Sequence, residues 1–473
     1  MIAFLLYFGL RLVYLAVNIS PAIPPDELSH FGICKVFSTV FLLPENSSAS
    51  YPYGLVTNVP WLYYWIMGKL LLLNFSGIQD LVWLRLMNLP FAFATVWFVW
   101  RTLRLLTDDR LTRMLLVVAL TNTMMFTFLS ACVSYDNLTN LLAAMALYYL
   151  LAFFRARSGN LLALSLICQL AGCLTKSAFL PLVVALQVSL VMHEFSRVSS
   201  LPASVARYLK ENKWRGGALL LAILAGLVLN LQLYGGNYRQ FGKLKLEMYE
   251  VLPFESVMHN SLAARNMILT LFQEGRVTKE QAIAMASRIE HPGERIDAIT
   301  SVRNYENFRE GGKPPMGLAR YTLFWVQRMA SGIFGVQGRL AIPATWPAGV
   351  PLTVLGITAL ASWAIRWRPR DAGGIPAYLA MVAGFYSIFL LYWVNYRGYL
   401  ENGSFTLALQ GRYLFPVLGP VYLLAGYYLM RLSSDRHLRV GIFAVAAIIL
   451  VLCDFPLFLA RITPAWYLWP PGG

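Results

Sequence analysis

The sequence predicts an all-α polytopic membrane protein of about eleven transmembrane helices, with interfacial helices in the first outer loop and one larger outer-face loop. Three observations predict it. Hydrophobic residues make up 58% of the 473, and charged residues only 13%, a balance that a soluble domain does not carry. Apolar runs long enough for a bilayer recur from one end of the chain to the other. Finally, the basic residues behind the formal charge of +16 cluster in short loops between those runs. That is the placement of topology signals, and it excludes a continuous nucleic-acid-binding face.

The runs fall near 2–19, 82–100, 112–131, 137–153, 160–175, 177–192, 216–233, 348–365, 376–394, 413–430 and 440–460. No small-residue cleavage site follows the first run, so it reads as a retained anchor and not as a signal peptide. The run 59–74 is short and rich in Trp and Tyr at its start, which predicts a helix lying along the membrane. The loops carrying Arg101/Arg104/Arg110/Arg113, Arg155/Arg157, Arg197/Arg207/Lys210/Lys213/Arg215, Arg366/Arg368/Arg370 and Arg431/Arg436/Arg439 then share one face, cytoplasmic by the positive-inside rule. The N-terminus is cytoplasmic in this reading and the C-terminus outside.

Only Lys176 separates 160–175 from 177–192, and a tight hairpin and a broken helix both fit. The sizeable polar segment, 234–346, lies outside. It divides the chain into an N-terminal transmembrane catalytic module (1–233, first outer loop 20–81), a partly helical outer-face subdomain (234–346) and C-terminal transmembrane helices (347–473). Within the subdomain, Leu262, Met267, Leu271 and Phe272 followed by Lys279-Glu280-Gln281-Ala282 predict one helix over 261–290. Gly311-Gly312-Lys313-Pro314-Pro315 ends the pattern before the chain returns to the membrane. The cysteines at 34, 132, 168, 173 and 453 show neither metal spacing nor a disulfide framework.

On this topology the polar groups at the outer helix ends form a short list. Pro24-Pro25-Asp26-Glu27-Leu28-Ser29-His30 follows the first span. Tyr135-Asp136 stands between the third and fourth spans, and Lys176 at the next outer turn. Arg239 is near the entry to the large loop, and Gln410-Gly411-Arg412-Tyr413 is in the last outer loop. Charges near hydrocarbon are costly without partners, so a base and anion-holding cations on one face suit acid–base chemistry on an anionic substrate. Each residue also has a plainer role. Asp26 and Glu27 suit the first turn of a helix after Pro25, Asp136 suits a helix cap, and Lys176 suits a headgroup contact. Arg412 lies against the positive-inside trend, which favours an anion ligand. His30 falls on one helical face with Asp26 and Glu27 and leaves a divalent metal open, although a lone His is weak evidence. Asp108-Asp109 reads as solvated loop. Arg11, midway along the first span, requires a polar partner or a water path.

The acidic pair in the first outer loop, the Pro-aromatic interfacial run and Arg85-Leu86 at the start of the next span resemble the GT-C superfamily of membrane glycosyltransferases. That superfamily includes protein O-mannosyltransferases and the aminoarabinose transferase of lipid A. Pro-Pro-Asp-Glu-x-x-His-Phe at 24–31, Tyr135-Asp136, Leu174-Thr175-Lys176, Tyr234-Gly235, Val251-Leu252-Pro253 and Gln410-Gly411-Arg412-Tyr413-Leu414 are similar to a bacterial membrane family within it whose activity is largely unassigned. The resemblance covers nearly the whole chain. It implies transfer of a sugar from a polyprenyl-phosphate carrier to an envelope glycan, lipid or protein acceptor, on the outer face of a bacterial cytoplasmic membrane. Asp26 would act as general base with Glu27 beside it, and Arg412 and Lys176 would hold the phosphate. Tyr413, Gln410, Tyr135, Asp136 and Arg239 would complete the substrate site. One departure bears on donor binding: relatives with a Lys-Pro-Pro signature before the interfacial helix place that lysine near the phosphate, whereas this chain has Asn58-Val59-Pro60. No cofactor is required. Neither a Gly-rich phosphate loop nor an Asp-x-Asp motif occurs, which disfavours a nucleotide-sugar donor. The rival readings are a transporter or flippase for a lipid-linked or anionic solute, and an inactive accessory subunit of an envelope-polymer assembly. Transporters gather polar groups near the midplane, where this sequence places only Arg11.

Overall fold

In hydrocarbon every backbone polar group must find its partner within the protein, and a helix does this segment by segment. The apolar runs accordingly fold as helices in the computed structural model, which describes residues 1–195, 213–311, 316–344, 348–368, 371–402 and 409–468. Arg197, Arg207, Lys210, the Gly312–Pro315 break and Arg370 lie outside the described residues. The N-terminal half comprises α1 (Ile2–Asn18), α2 (Glu27–Ser38), α3 (Leu62–Leu71), α4 (Asp80–Leu103), α5 (Arg110–Thr121), α6 (Met124–Ser130), α7 (Tyr135–Ala156), α8 (Gly159–Thr175) and α9 (Leu180–Glu194). Among the described residues seven helices are long and apolar enough to cross a membrane, or eight if the pair α5 and α6, bent by 64°, is one span. Ile2–Asn18 and Gly159–Thr175 are apolar but shorter. Each expected run coincides with helix, so the figure of about eleven spans goes beyond what length and composition establish.

The short aromatic run is α3, ten residues long and therefore about 15 Å, half the depth of a bilayer core. It packs beside α2, where Lys69 Nζ donates to the carbonyl oxygens of Phe37 and Val40. The ambiguity at Lys176 resolves into a hairpin. Gln187 Nε2 donates to Gln169 Oε1 at 2.7 Å, and Arg157 at the start of α8 pairs with Glu194 at the end of α9. The chain therefore reverses at Lys176, whose backbone is extended (φ −157°, ψ 129°). Gly172 permits this reversal, since a Cβ there would lie 2.4 Å from the Phe179 ring.

The helix expected over 261–290 is two helices, Ser261–Gln273 and Lys279–Ser287. Gly275 takes φ +69°, which ends the first, and Thr278 caps the second in a reciprocal box with Gln281. Lys279-Glu280-Gln281 thus opens a helix instead of continuing one. With Phe254–Met258 and Pro292–Gly311 these helices share a small core of their own, around Val257, Ala264, Ile268, Ala282 and Val302, into which Leu55 of the first loop also packs.

Loops at one end of the bundle are tied together by basic side chains. Arg439 pairs with Asp109 at 2.6 Å, Arg431 with Asp371 at 2.8 Å, and Arg155 donates to the Leu105 carbonyl. Asp109 is therefore more than solvated loop, because it also caps α5 by accepting from Thr112 N. Asp108 pairs with Arg113 but remains exposed. Arg11 finds its partner in Asp454, at the break between helices Arg436–Leu452 and Phe455–Arg461. Its second nitrogen donates at 2.5 Å to the Thr121 carbonyl, which the bend between α5 and α6 leaves free. The one clearly deep cation of the sequence is thus consumed internally.

Candidate active site

The opposite end of the bundle brings four of the expected residues into one cluster. The loop after α1 delivers Asp26, the start of α7 delivers Asp136, the tip of the α8–α9 hairpin delivers Lys176, and the turn Gly411–Leu414 delivers Arg412. Arg412 Nη2 donates to Asp26 Oδ2 at 2.8 Å, and Arg412 Nη1 faces Asp136 Oδ2 at 3.5 Å. Lys176 Nζ donates to Asp136 Oδ1 at 2.5 Å. The two carboxylates balance the two cations.

Asp26 differs from its partners in access. Its side chain is 43% exposed, against 3% for Arg412 and 4% for Asp136. Asp26 sits at the N-cap position of α2, yet its carboxylate makes no capping hydrogen bond. Its backbone is instead left-handed, with φ 61° and ψ 11°, a conformation that costs a non-glycine residue energy and marks sites where side-chain direction matters. The helix-start role is therefore not the one Asp26 performs. Partial burial raises its carboxyl pKa, but Arg412, His30 and Lys176 outweigh that and hold it below the usual range. Asp136 is likewise no cap: Ser134 caps α7 by accepting from Asp136 N. Lys176 does not reach for headgroups, being only 11% exposed.

Glu27 is placed quite differently. Arg85 grips it from both sides, Nε to Oε1 at 2.8 Å and Nη2 to Oε2 at 2.5 Å, with both side chains fully buried. Val133 N donates to Oε1 as well. Arg85 Nη1 in turn donates to the Ala16 and Ile19 carbonyls. Glu27 thus has no face left for an acceptor. The expectation that it acts in catalysis gives way to a positioning role, in which one buried ion pair fixes the end of α1, the first loop, α4 and the turn before α7.

Around the cluster stand Tyr135 and Tyr413, whose ring centroids lie 4.5 and 5.3 Å from Lys176 Nζ. Gln410 Oε1 accepts from Arg412 Nε at 2.6 Å. His30 Nδ1 is 2.8 Å from the Tyr64 hydroxyl, and its ring packs edge-on against Tyr135. Among the described residues no group of three His, Cys, Asp or Glu side chains could hold a metal ion. Arg239 does not join the site, since it is exposed on the short helix Gly236–Phe241.

Several contributors escaped the sequence reading. Tyr64 fixes His30; Lys245, one of the polar residues at the entry to the large loop, lies near Tyr135 and Tyr413, paired with Glu247 at 2.7 Å. Gln337 Oε1 accepts from Gly411 N at 2.9 Å, and Arg339 N donates to the Ile23 carbonyl at 3.0 Å. The hairpin Val336–Ile342 therefore bridges the loop leading to Asp26 and the turn carrying Arg412. No motif marks these residues; only their position beside a charged cluster does.

No known family profile and no curated protein matches the chain. Among solved structures the chain is similar to the archaeal oligosaccharyltransferase AglB from Archaeoglobus fulgidus in complex with an inhibitory peptide and a dolichol-phosphate. That match has a TM-score of 0.46 and 14% identity, covering 100% of this chain and 56% of AglB. It is also similar to ArnT from Cupriavidus metallidurans in the apo state, with a TM-score of 0.36 and 12% identity over 90% of this chain and 76% of ArnT. ArnT bound to undecaprenyl phosphate gives a TM-score of 0.38 at 12% identity, over 90% of this chain and 77% of that one.

Proposed function

We propose that the chain is a GT-C-type membrane glycosyltransferase that moves a sugar from a polyprenyl-phosphate carrier to a hydroxyl-bearing acceptor at the outer membrane face. The observation that carries this is the solvent-reaching Asp26 carboxylate, held in a left-handed backbone on Arg412 within an otherwise buried cluster. Asp26 takes the acceptor's proton as the acceptor oxygen attacks the anomeric carbon. The bond from that carbon to the phosphate oxygen breaks, and its electron pair leaves with the phosphate. Arg412 and Lys176 receive the developing negative charge, and a single displacement inverts the anomeric centre.

In this mechanism the donor phosphate displaces Asp26 from Arg412. The freed carboxylate loses the cation that holds its pKa down and becomes a better base when the donor is in place. Lys245 supplies a cation near the segment where this chain has Asn58 in place of a lysine, Asn58 being engaged with Asn237. An apolar groove lined by Leu115, Leu352, Gly356, Tyr422 and Leu450 reaches Phe334. Phe334 closes the helix whose Gly332 packs on Gly411, next to Arg412. Arg11 is paired with Asp454 and so presents no free charge for a transported solute.

Purified protein in lipid, supplied with a panel of polyprenyl-phosphate sugars, tests the reading. Asp26→Asn should lower turnover by at least about a hundredfold, within the range general-base removal produces, while carrier binding and thermal stability persist. Unchanged turnover in that variant would remove Asp26 from the chemistry.

A further inference from the structure

The proposed mechanism leaves three buried polar atoms unused. His30 Nε2, Asp136 Oδ2 and Arg412 Nη1 are shielded from solvent and have no hydrogen-bond partner among the described residues. A buried polar atom without a partner costs on the order of 1–3 kcal/mol, and native structures contain few. These three share one place. Arg412 Nη1 and Asp136 Oδ2 form an ion pair at 3.5 Å, long for a hydrogen bond. His30 lies in the electrostatic field of both, and of Asp26 and Lys176. The rest of each side chain is already engaged: His30 Nδ1 with Tyr64, Asp136 Oδ1 with Lys176, and Arg412 Nε and Nη2 with Gln410 and Asp26. The free atoms are therefore held rigidly in position.

Their chemistry selects a ligand group. A guanidinium nitrogen only donates and a carboxylate oxygen only accepts, while a neutral imidazole does one or the other at each nitrogen. Burial pushes His30 down to about 4, so its ring is neutral at pH 7. A phosphate is unwelcome on this side of Arg412, where it would meet Asp136 in a cluster whose charges already cancel. A hydroxyl fits, because it donates to Asp136 Oδ2 and accepts from Arg412 Nη1, leaving its second lone pair or a neighbouring hydroxyl for His30.

We propose that His30 Nε2, Asp136 Oδ2 and Arg412 Nη1 form a hydroxyl-recognition subsite that reads a polyhydroxyl group of the substrate, with His30 as the specificity-determining contact. This rests on the transferase reading. The phosphate takes the side of Arg412 held by Asp26, and the hydroxyl takes the side paired with Asp136. The same hydroxyl chemistry has two sources, the sugar being moved and the acceptor, and the kinetics separate them.

The test compares two amides at one position. In His30→Asn the amide replaces Nδ1 and reaches Tyr64 but not the subsite. In His30→Gln it reaches where Nε2 stood. Transfer is measured in lipid with intact and monodeoxy donors, alongside binding of sugar-free polyprenyl phosphate and thermal unfolding of both variants. His30→Asn should raise the donor KM about tenfold, the loss expected when one buried hydrogen bond goes, with sugar-free carrier binding unchanged. His30→Gln should recover most of that loss. In the unmodified protein one monodeoxy donor should show a similar penalty, and His30→Asn should abolish that penalty, as coupled partners require. A rise in acceptor KM instead assigns the hydroxyl to the acceptor and still supports the subsite. The reverse order, with Asn mild and Gln damaging, shows that His30 only packs on Tyr64 and overturns it. Equal sensitivity to every deoxy donor, or an equal loss of sugar-free carrier binding, overturns it too. Absence of transfer by the unmodified protein from any donor in the panel overturns the transferase reading itself, and the subsite falls with it.

Discussion

Adjacent carboxylates at 26 and 27 follow the same prolines and have opposite fates. Asp26 keeps access and is aimed by its left-handed backbone, whereas Glu27 is locked on Arg85 with no exposure. Their substitutions should separate accordingly. Glu27→Gln leaves Arg85 a buried cation without its counter-charge, a loss of about 3–5 kcal/mol for a broken buried pair. It should lower the thermal unfolding temperature markedly and abolish turnover through the fold. Unfolding in lipid checks this, and a Glu27→Gln protein as stable as the unmodified one would show that the pair does not hold the first loop. The sequence marked the dipeptide as costly and hence meaningful, but it could not divide the work. Both residues have the same charge and the same local context, and the partner that distinguishes them, Arg85, lies 58 positions away.

At the scale of elements, each piece of the site hangs on a close approach. Gly411 packs so tightly that an added Cβ would lie 2.4 Å from the Gly332 carbonyl carbon, while Gln337 holds its N–H. Gly411→Ala must push the turn off that helix and carry Arg412 away from Asp26. Turnover should fall roughly a hundredfold, as small displacements of catalytic geometry produce, with the donor KM raised. Unchanged kinetics would separate this turn from the site. Helix positions were readable from apolar length, and the interfacial run from its shortness and aromatic start. Breaks were not: Gly275 interrupts what periodicity alone reads as one helix, because helix-forming residues resume at Lys279 beyond a turn whose backbone angle only the fold displays. The turn at Lys176 was left open for a related reason. One residue between two apolar runs suits a kink as well as a reversal, and pairing between Gln169 and Gln187 decides it.

For the whole molecule, the Arg11–Asp454 pair joins the first helix to the last across 443 positions and closes the bundle around the bend of α5 and α6. Replacing either residue alone, as in Arg11→Met or Asp454→Leu, should destabilise by about 3–5 kcal/mol. Replacing both should recover most of that loss, since well-packed apolar side chains substitute for a buried pair at little net cost. Thermal unfolding of the three variants measures it, and singles no worse than the double would show the charges to be independent. The sequence by itself determined the membrane class, the helical segments and the short loops in which basic residues gather, and it singled out Asp26, Asp136, Lys176 and Arg412 at helix ends while also offering Glu27 and Arg239. Apolar length and charge placement are local quantities, and hydrocarbon enforces them residue by residue. Tertiary structure alone decided what each polar residue does there. It made Glu27 a brace, left Asp26 with access, paired Arg11, left Arg239 exposed and gave His30 one buried nitrogen without a hydrogen bond, within the field of Asp136 and Arg412. A charge's role follows from its partner and its exposure, and both are fixed by segments far apart in the chain that meet only when it folds.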